Sequence, residues 1–149
     1  MLLYTLCYVE KDGQYLMLHR TKKKNDVHKG LWVGLGGKIE PGESPEDCVI
    51  REVLEESGLK ISKPRLHGIM TFPRFANYVF LFTATNFTGS IKNCAEGELA
   101  WVDKHKLHEL PMHKGDYDFI KRMQEYDGVF SAKYVYRDGA LADITIAEY

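Results

Sequence analysis

Apolar and polar positions divide this chain into short strands and two helices. Leu3–Val9 and Tyr15–Arg20 are apolar runs on either side of Asp12-Gly13, and they read as the two strands of a hairpin. Thr21–Lys29 is polar and basic and reads as a loop. Leu31–Leu35 is a brief apolar run entering Gly34, Gly36 and Gly37, with Trp32 expected in the core. Between Ser44 and Gly58 the period changes. At roughly 100° per residue, Val49, Ile50, Val53 and Leu54 fall on one helical face. Ser44 is a suitable N-cap, and Asp47 three residues on approximates a capping box. Pro45 suits the first helical position and Gly58 a left-handed C-terminal turn.

Further along, Pro64 and Pro73 break a region that mixes strand and turn. His67–Phe72 and Tyr78–Ala84 read as strands, Phe87–Ser90 as a turn, and Ala95–Val102 as the approach to another strand. Leu107–Leu110 forms at most one helical turn before Pro111. Asp116–Tyr126 reads as a second helix, with Tyr117 and Ile120 on one stripe with Met123 or Gln124. Phe130–Tyr136 and Ala140–Ala147 close the chain as a hairpin around Asp138-Gly139. Strands interleaved with two helices predict an α/β fold: a mixed sheet with a helix on each face.

Composition adds limits. A length of 149 residues fits one domain, 1–149, with a real core. A net charge of −1 gives no electrostatic footprint for nucleic acid or an acidic membrane surface. Cys7, Cys48 and Cys94 are odd in number and widely spaced. They match no zinc pattern and are expected as free thiols in a reducing cytoplasm. The apolar start lacks a basic leader and soon meets Glu10, so it reads as a buried strand rather than a signal peptide. No stretch is long enough to span a membrane.

The candidate chemistry sits on the first helix. Glu52, Glu55 and Glu56 stand at i, i+3 and i+4, and Arg51 is the only base within the helix. Like charges so placed repel. A solvated acidic face is one reading. A hard divalent cation neutralising the set is the other, because Mg²⁺ prefers carboxylate oxygens and binds jointly with substrate phosphates. The glycines just upstream favour the second, since they let backbone groups approach a ligand closely. Lys22, Lys23 and Lys24 read as solvated surface or as phosphate attraction near the acids.

Gly37, Glu43 and Arg51-Glu52-Val53-Leu54-Glu55-Glu56-Ser57-Gly58-Leu59 resemble the Nudix box at every defined position of residues 37–59. The resemblance implies an α/β/α sandwich with a mixed sheet, and a loop–helix–loop that binds Mg²⁺ or Mn²⁺. It also implies hydrolysis of a nucleoside diphosphate linked to another group. Tyr4-Thr5-Leu6, Lys29-Gly30-Leu31-Trp32, Gly34-Leu35-Gly36-Gly37-Lys38 and the final hairpin are similar to the oxidised purine nucleoside triphosphatases, the 8-oxo-dGTP diphosphatases that cleanse the nucleotide pool.

The resemblance implies roles residue by residue. Gly36 would offer a carbonyl to the metal, and Glu52, Glu55, Glu56 and Glu96 their carboxylates, with Glu98 competing with Glu96. Glu43 and Arg51 would orient the box, and Glu52 or Glu55 would accept the proton of the attacking water. Thr5, Val33, Leu35 and Asp116 would line the base pocket. Arg20 or Lys23 would face the phosphates, and Gly36, Gly37 and Lys38 would join the substrate contacts. Two departures stand out: Val33 occupies the place of a base-reading asparagine, and His113 that of a stacking tryptophan. Asp116 has a plainer alternative as a helix cap. The implied partner is a nucleoside triphosphate, with no nucleic acid or membrane, for a monomer or homodimer. Another nucleotide such as ADP-ribose, or a sensing module without turnover, are the alternatives.

Overall fold

The computed structural model describes residues 1–149. Its strands are β1 (Leu2–Lys11), β2 (Gln14–Arg20), β3 (Trp32–Val33), β4 (Leu59–Ser62), β5 (Arg65–Phe72), β6 (Asn77–Ala84), β7 (Asn86–Gly89), β8 (Gly97–Asp103), β9 (Phe130–Arg137) and β10 (Ala140–Glu148). The helices are α1 (Pro45–Ser57) and α2 (Lys114–Glu125). Both expected hairpins form. Asp12 and Gly13, and likewise Asp138 and Gly139, all have φ between 52° and 78°, the left-handed pair that a tight hairpin turn requires.

Eight strands make one mixed sheet, in the order β10-β9-β5-β6-β1-β2-β3 with β8 also on β2. β1 runs parallel to β6, and β5 parallel to β9. β1 and β2 pair only beside their turn, at Glu10 with Tyr15 and Lys11 with Gln14. Further back along β1, the glycine-rich segment takes the place of β2. Thr5 N–H donates to Gly37 O at 2.8 Å, and Ile39 N–H to Leu3 O at 2.8 Å. The loop expected to meet a ligand is therefore fixed to the central strand by backbone hydrogen bonds.

Successive residues of β1 face opposite ways, as the pleat dictates. Cys7 and Val9 pack with Val49 and Val53 of α1, and Leu16, Leu18, Leu35 and Phe82 complete that layer. Tyr8 packs with Phe119, Ile120 and Met123 of α2, together with Tyr134. One helix therefore covers each face, which is the expected α/β/α sandwich. Complete burial of Val49 and Val53 stabilises the seat of α1 by about 1.5–3 kcal/mol each.

Some local expectations change. Leu54 is exposed, so the apolar face of α1 is narrower than its periodicity suggests. Trp32 is only partly buried and stacks on His19 at 4.5 Å. The expected turn at Phe87–Ser90 is strand β7, paired with β4 in a two-stranded ribbon, and Phe87 packs on the α1 layer. α2 begins at Lys114 with His113 at its N-cap, so Asp116 lies inside the first turn and caps nothing. Cys7, Cys48 and Cys94 are buried free thiols. No helix is long and apolar enough to cross a membrane.

Candidate active site

Caps fix the start of α1 and place its acids. Ser44 Oγ accepts the Asp47 N–H at 3.0 Å, and Asp47 Oδ2 accepts the Ser44 N–H at 3.1 Å, a complete capping box. Gly58, at φ 84°, ends the helix by donating to Leu54 O at 2.9 Å. The far end of α1 then meets the glycine segment. Gly36 N–H donates to Glu56 Oε1 at 2.8 Å. A Cβ at Gly37 would stand 2.4 Å from the carboxyl carbon of Glu52. Two box carboxyls thus lie directly against a backbone stretch that has no room for a side chain.

Arg51 binds this arrangement together. It donates to Glu43 at 2.6 and 2.9 Å, to Glu52 at 2.8 Å, to Glu55 at 3.3 Å and to Lys38 O at 3.2 Å. Its guanidinium holds the Glu43 carboxyl down to about 2, with the Glu40 N–H assisting. Arg51 therefore ties the loop at 38–43 to the helix, the orienting role expected of it and of Glu43. The acids deeper in behave oppositely. Burial pushes Glu56 up to about 8 against the Gly36 N–H, and the charges of Glu96 and Glu52 push further. Burial also raises Glu52, against the pull of Arg51, and Glu55 and Glu96 add to the rise. Glu55 is exposed at the rim.

Of the two late acids, Glu96 is the one whose charge is felt at Glu52 and Glu56. It is bound by Arg20 at 2.9 Å and by Lys23 at 3.4 Å. Arg20 also bonds Asp26 at 2.7 Å. These two bases, expected at the phosphates, are thus engaged with an acid of the site. Glu98 is largely exposed and lies 3.8 Å from Lys22. As they stand, no three acids converge closely enough to hold one ion. Their chemistry nevertheless fits a hard divalent cation: buried, mutually repelling carboxylates beside a cradle that a Cβ would fill.

The expected base pocket separates into two faces. Thr5 shares the face of Cys7, where its hydroxyl lies 3.4 Å from Cys48 Sγ and 3.3 Å from Gly37 O. It braces the glycine loop. Val33 pairs with Leu18 and packs on the α1 layer, and Leu35 is wholly buried in that layer. Neither shields Asp116, which lies on the α2 side. The reason is strand parity: residues 5, 7 and 9 of β1 point one way, and residues 6 and 8 the other.

Asp116 instead neighbours three tyrosines, Tyr8, Tyr134 and Tyr136, whose hydroxyls its charge would push up. Burial alone raises the Asp116 carboxyl to about 8. The Tyr8 hydroxyl sits beside the Gly34 backbone, but no partner completes a hydrogen bond to it. His113 meets His28 edge-on, with Nδ1 of His28 2.6 Å from Nε2 of His113. Tyr8 and His28 were not among the expected site residues. The alternation that puts Tyr8 opposite Cys7 is a signal for the first. Nothing local points to the second, since 85 residues separate it from its partner.

A pH effect follows from Asp116. Its folded-state value of about 8 exceeds the ordinary 3.8, so the folded protein holds the extra proton more tightly. The resulting stabilisation is full below about 4 and is lost as pH rises through about 8. Asp116→Asn removes this dependence. Thermal unfolding across that range should show the wild type losing stability relative to the variant, and parallel curves would contradict the assignment.

Known proteins agree with this architecture. The NUDIX domain family model matches residues 4–123. An uncharacterised Nudix hydrolase, YvcI of Bacillus subtilis, is 34% identical over 140 residues, covering 89% of this chain and 85% of that one. The oxidized purine nucleoside triphosphate hydrolase of Danio rerio is 33% identical over 109 residues, covering 70% and 68%. The crystal structure of a MutT protein from Bacillus halodurans superposes with a TM-score of 0.85 at 31% identity, covering 98% and 97%. With the box acids set against the glycine loop, and family similarity running through sheet and helices alike, this chain belongs to the Nudix family and is a hydrolase.

Proposed function

We propose that this hydrolase is a Mg²⁺-dependent nucleoside triphosphate pyrophosphohydrolase acting on oxidised purine nucleotides such as 8-oxo-dGTP, in the service of nucleotide-pool sanitation. Mn²⁺ is a chemically similar substitute. The observation that carries the base assignment is Asp116, a buried carboxyl raised by burial alone, beside the unpartnered hydroxyl of Tyr8. A buried hydroxyl without a partner, as at Tyr8, is costly unless a ligand meets it. A neutral carboxyl offers one donor and one acceptor together, which suits the polar edge of a purine. The similarity to the Danio rerio enzyme supports the same substrate class.

Water would attack a phosphorus of the triphosphate, the phosphoanhydride bond would break, and nucleoside monophosphate and diphosphate would leave. Glu52, Glu55, Glu56 and Glu96 are the residues that would hold the cation, with Gly36 offering its carbonyl. The bound cation would polarise phosphoryl oxygens and lower the pKa of a bound water. Glu52 is the better placed proton acceptor, because it is shielded, raised by burial and held by Arg51, whereas Glu55 is exposed. Gly37 and Lys38 present backbone where the phosphates would pass. Arg51 acts through Glu52 and Glu43 rather than on the substrate.

Asp116→Ala should lower kcat/KM for 8-oxo-dGTP at least ~10-fold, the loss of one hydrogen bond of about 1.5 kcal/mol. Hydrolysis of dGTP should change much less, because the phosphate end is untouched. Asp116→Asn should fall between, since it retains a donor and an acceptor. Steady-state kinetics of both variants on both nucleotides is the test, and equal losses would remove Asp116 from base selection.

A further inference from the structure

A cavity of about 380 Å³ opens at the opposite end of the sheet from the glycine loop. Its walls come from the ends of β1 and β6, the starts of β2 and β5, the segment after β8, and the C-terminal half of α2. From Thr5, which pairs with Gly37, to Glu10 at the cavity is five residues of strand, roughly 17 Å at the usual rise. The cavity is therefore separate from the box acids, and Tyr15 in its wall packs on Tyr8 at 5.5 Å between ring centres.

The lining is mainly polar, and its fixed charges are unbalanced. Lys63, Arg65 and Lys104 face a single carboxylate, Glu10. In a chain of net charge −1, that is a local excess of positive charge. Glu10 is engaged by Lys104 at 3.0 Å. Arg65 pairs at 3.0 Å with Asp127, whose side chain is fully exposed. Such a surface pair is weak, and Arg65 also donates to the Asp127 backbone carbonyl at 2.7 Å. Lys63 has no ionic partner. It also adopts φ 49°, a left-handed conformation that a lysine rarely takes.

Deeper in the cavity, His67 is 5% exposed and bonds Thr83 Oγ1 through Nε2 at 2.6 Å. Its Nδ1 is buried without a partner. Burial and the Arg65 charge lower this imidazole to about 4, so the ring is neutral at ordinary pH. Glu10 and Asp127 oppose that shift, and one of the two protons on the ring and the Thr83 hydroxyl is spent on their mutual bond, which leaves one donor for an anion drawn in by Lys63 and Arg65.

We infer that this cavity is a second ligand site for a small phosphate-bearing anion, held by Lys63 and Arg65 at its mouth above His67 and Thr83. Its volume lies at the low end of small-molecule sites, and its polar walls suit a compact, charged ligand rather than an apolar one. The site is independent of which nucleotide the enzyme hydrolyses.

The test uses the whole chain with a chelator present, so that divalent cations play no part. Inorganic diphosphate, or in a second arm deoxyguanosine monophosphate, is titrated at constant ionic strength. The His67 imidazole signals are followed by NMR. At least one probe should move them saturably, and the tighter one identifies free or nucleotide-borne phosphate as the ligand. Lys63→Asn combined with Arg65→Gln should raise the Kd of that probe at least ~10-fold. Both side chains are exposed and asparagine tolerates the left-handed turn, so the variant should fold. Silent His67 signals with both probes, shifts confined to the Gly36 and Gly37 amides, or an unchanged Kd in the double variant would each overturn the inference.

Discussion

Glu56→Gln is expected to lower Mg²⁺-dependent turnover at least ~100-fold, as the loss of one transition-state stabiliser does. The fold should remain. Glutamine keeps the oxygen that accepts the Gly36 N–H, and it reproduces the neutral carboxyl that burial already favours at Glu56. What disappears is the ability to become a full negative charge when a cation arrives. Without metal, the two proteins should respond alike below about 4.5, where the wild-type carboxyl is neutral both folded and unfolded. The variant should gain on the wild type as pH rises from there to about 8 and keep that advantage above it. Near-normal turnover at saturating Mg²⁺ would remove Glu56 from the metal assignment.

Gly37→Ala should reduce kcat by about 10²-fold, the usual cost of moving a reacting group by roughly an ångström. The new methyl would press on the Glu52 carboxyl, 2.4 to 2.6 Å away. That carboxyl can move only by giving up its 2.8 Å bond to Arg51. The obstacle is a side-chain end rather than backbone, so the melting temperature should change little. Gly36→Ala provides the contrast. Its φ is 152°, and its methyl would stand 2.0 Å from the Thr5 carbonyl oxygen. It should break the pairing of the loop with β1 and destabilise the protein outright. If Gly37→Ala lost stability while its folded fraction kept full activity, the loop would be structural only.

The contrast between these two glycines also shows where sequence reading ends. The box helix is legible because its signals are local: Ser44, Pro45, Asp47 and Gly58 each act within a turn of where they stand. Both hairpins are legible for the same reason, through Asp-Gly pairs that accept left-handed backbone. Partners distant in sequence are not. Nothing around Phe87 announces that Asn86–Gly89 pairs with the strand after the box helix. Nothing around Gly36 announces that it lies against Thr5. Thr5, Val33 and Leu35 carry the family resemblance, yet only the direction of each side chain decides whether it reaches a ligand, and here all three turn towards α1. The acids are legible as a group because their crowding on one helix is visible in their spacing. Their pairing with Arg51, and the engagement of Glu96 by Arg20 and Lys23, required the fold.

The central claim is Mg²⁺-dependent pyrophosphohydrolysis with a preference for an oxidised purine. Product analysis with 8-oxo-dGTP and dGTP, with Mg²⁺ and then with a chelator, tests it most directly. The expected result is 8-oxo-dGMP and diphosphate in equal amounts, kcat/KM at least ~10-fold above that for dGTP, and loss of both reactions in the chelator. Release of orthophosphate, equal rates on the two nucleotides, or no turnover of either would contradict it.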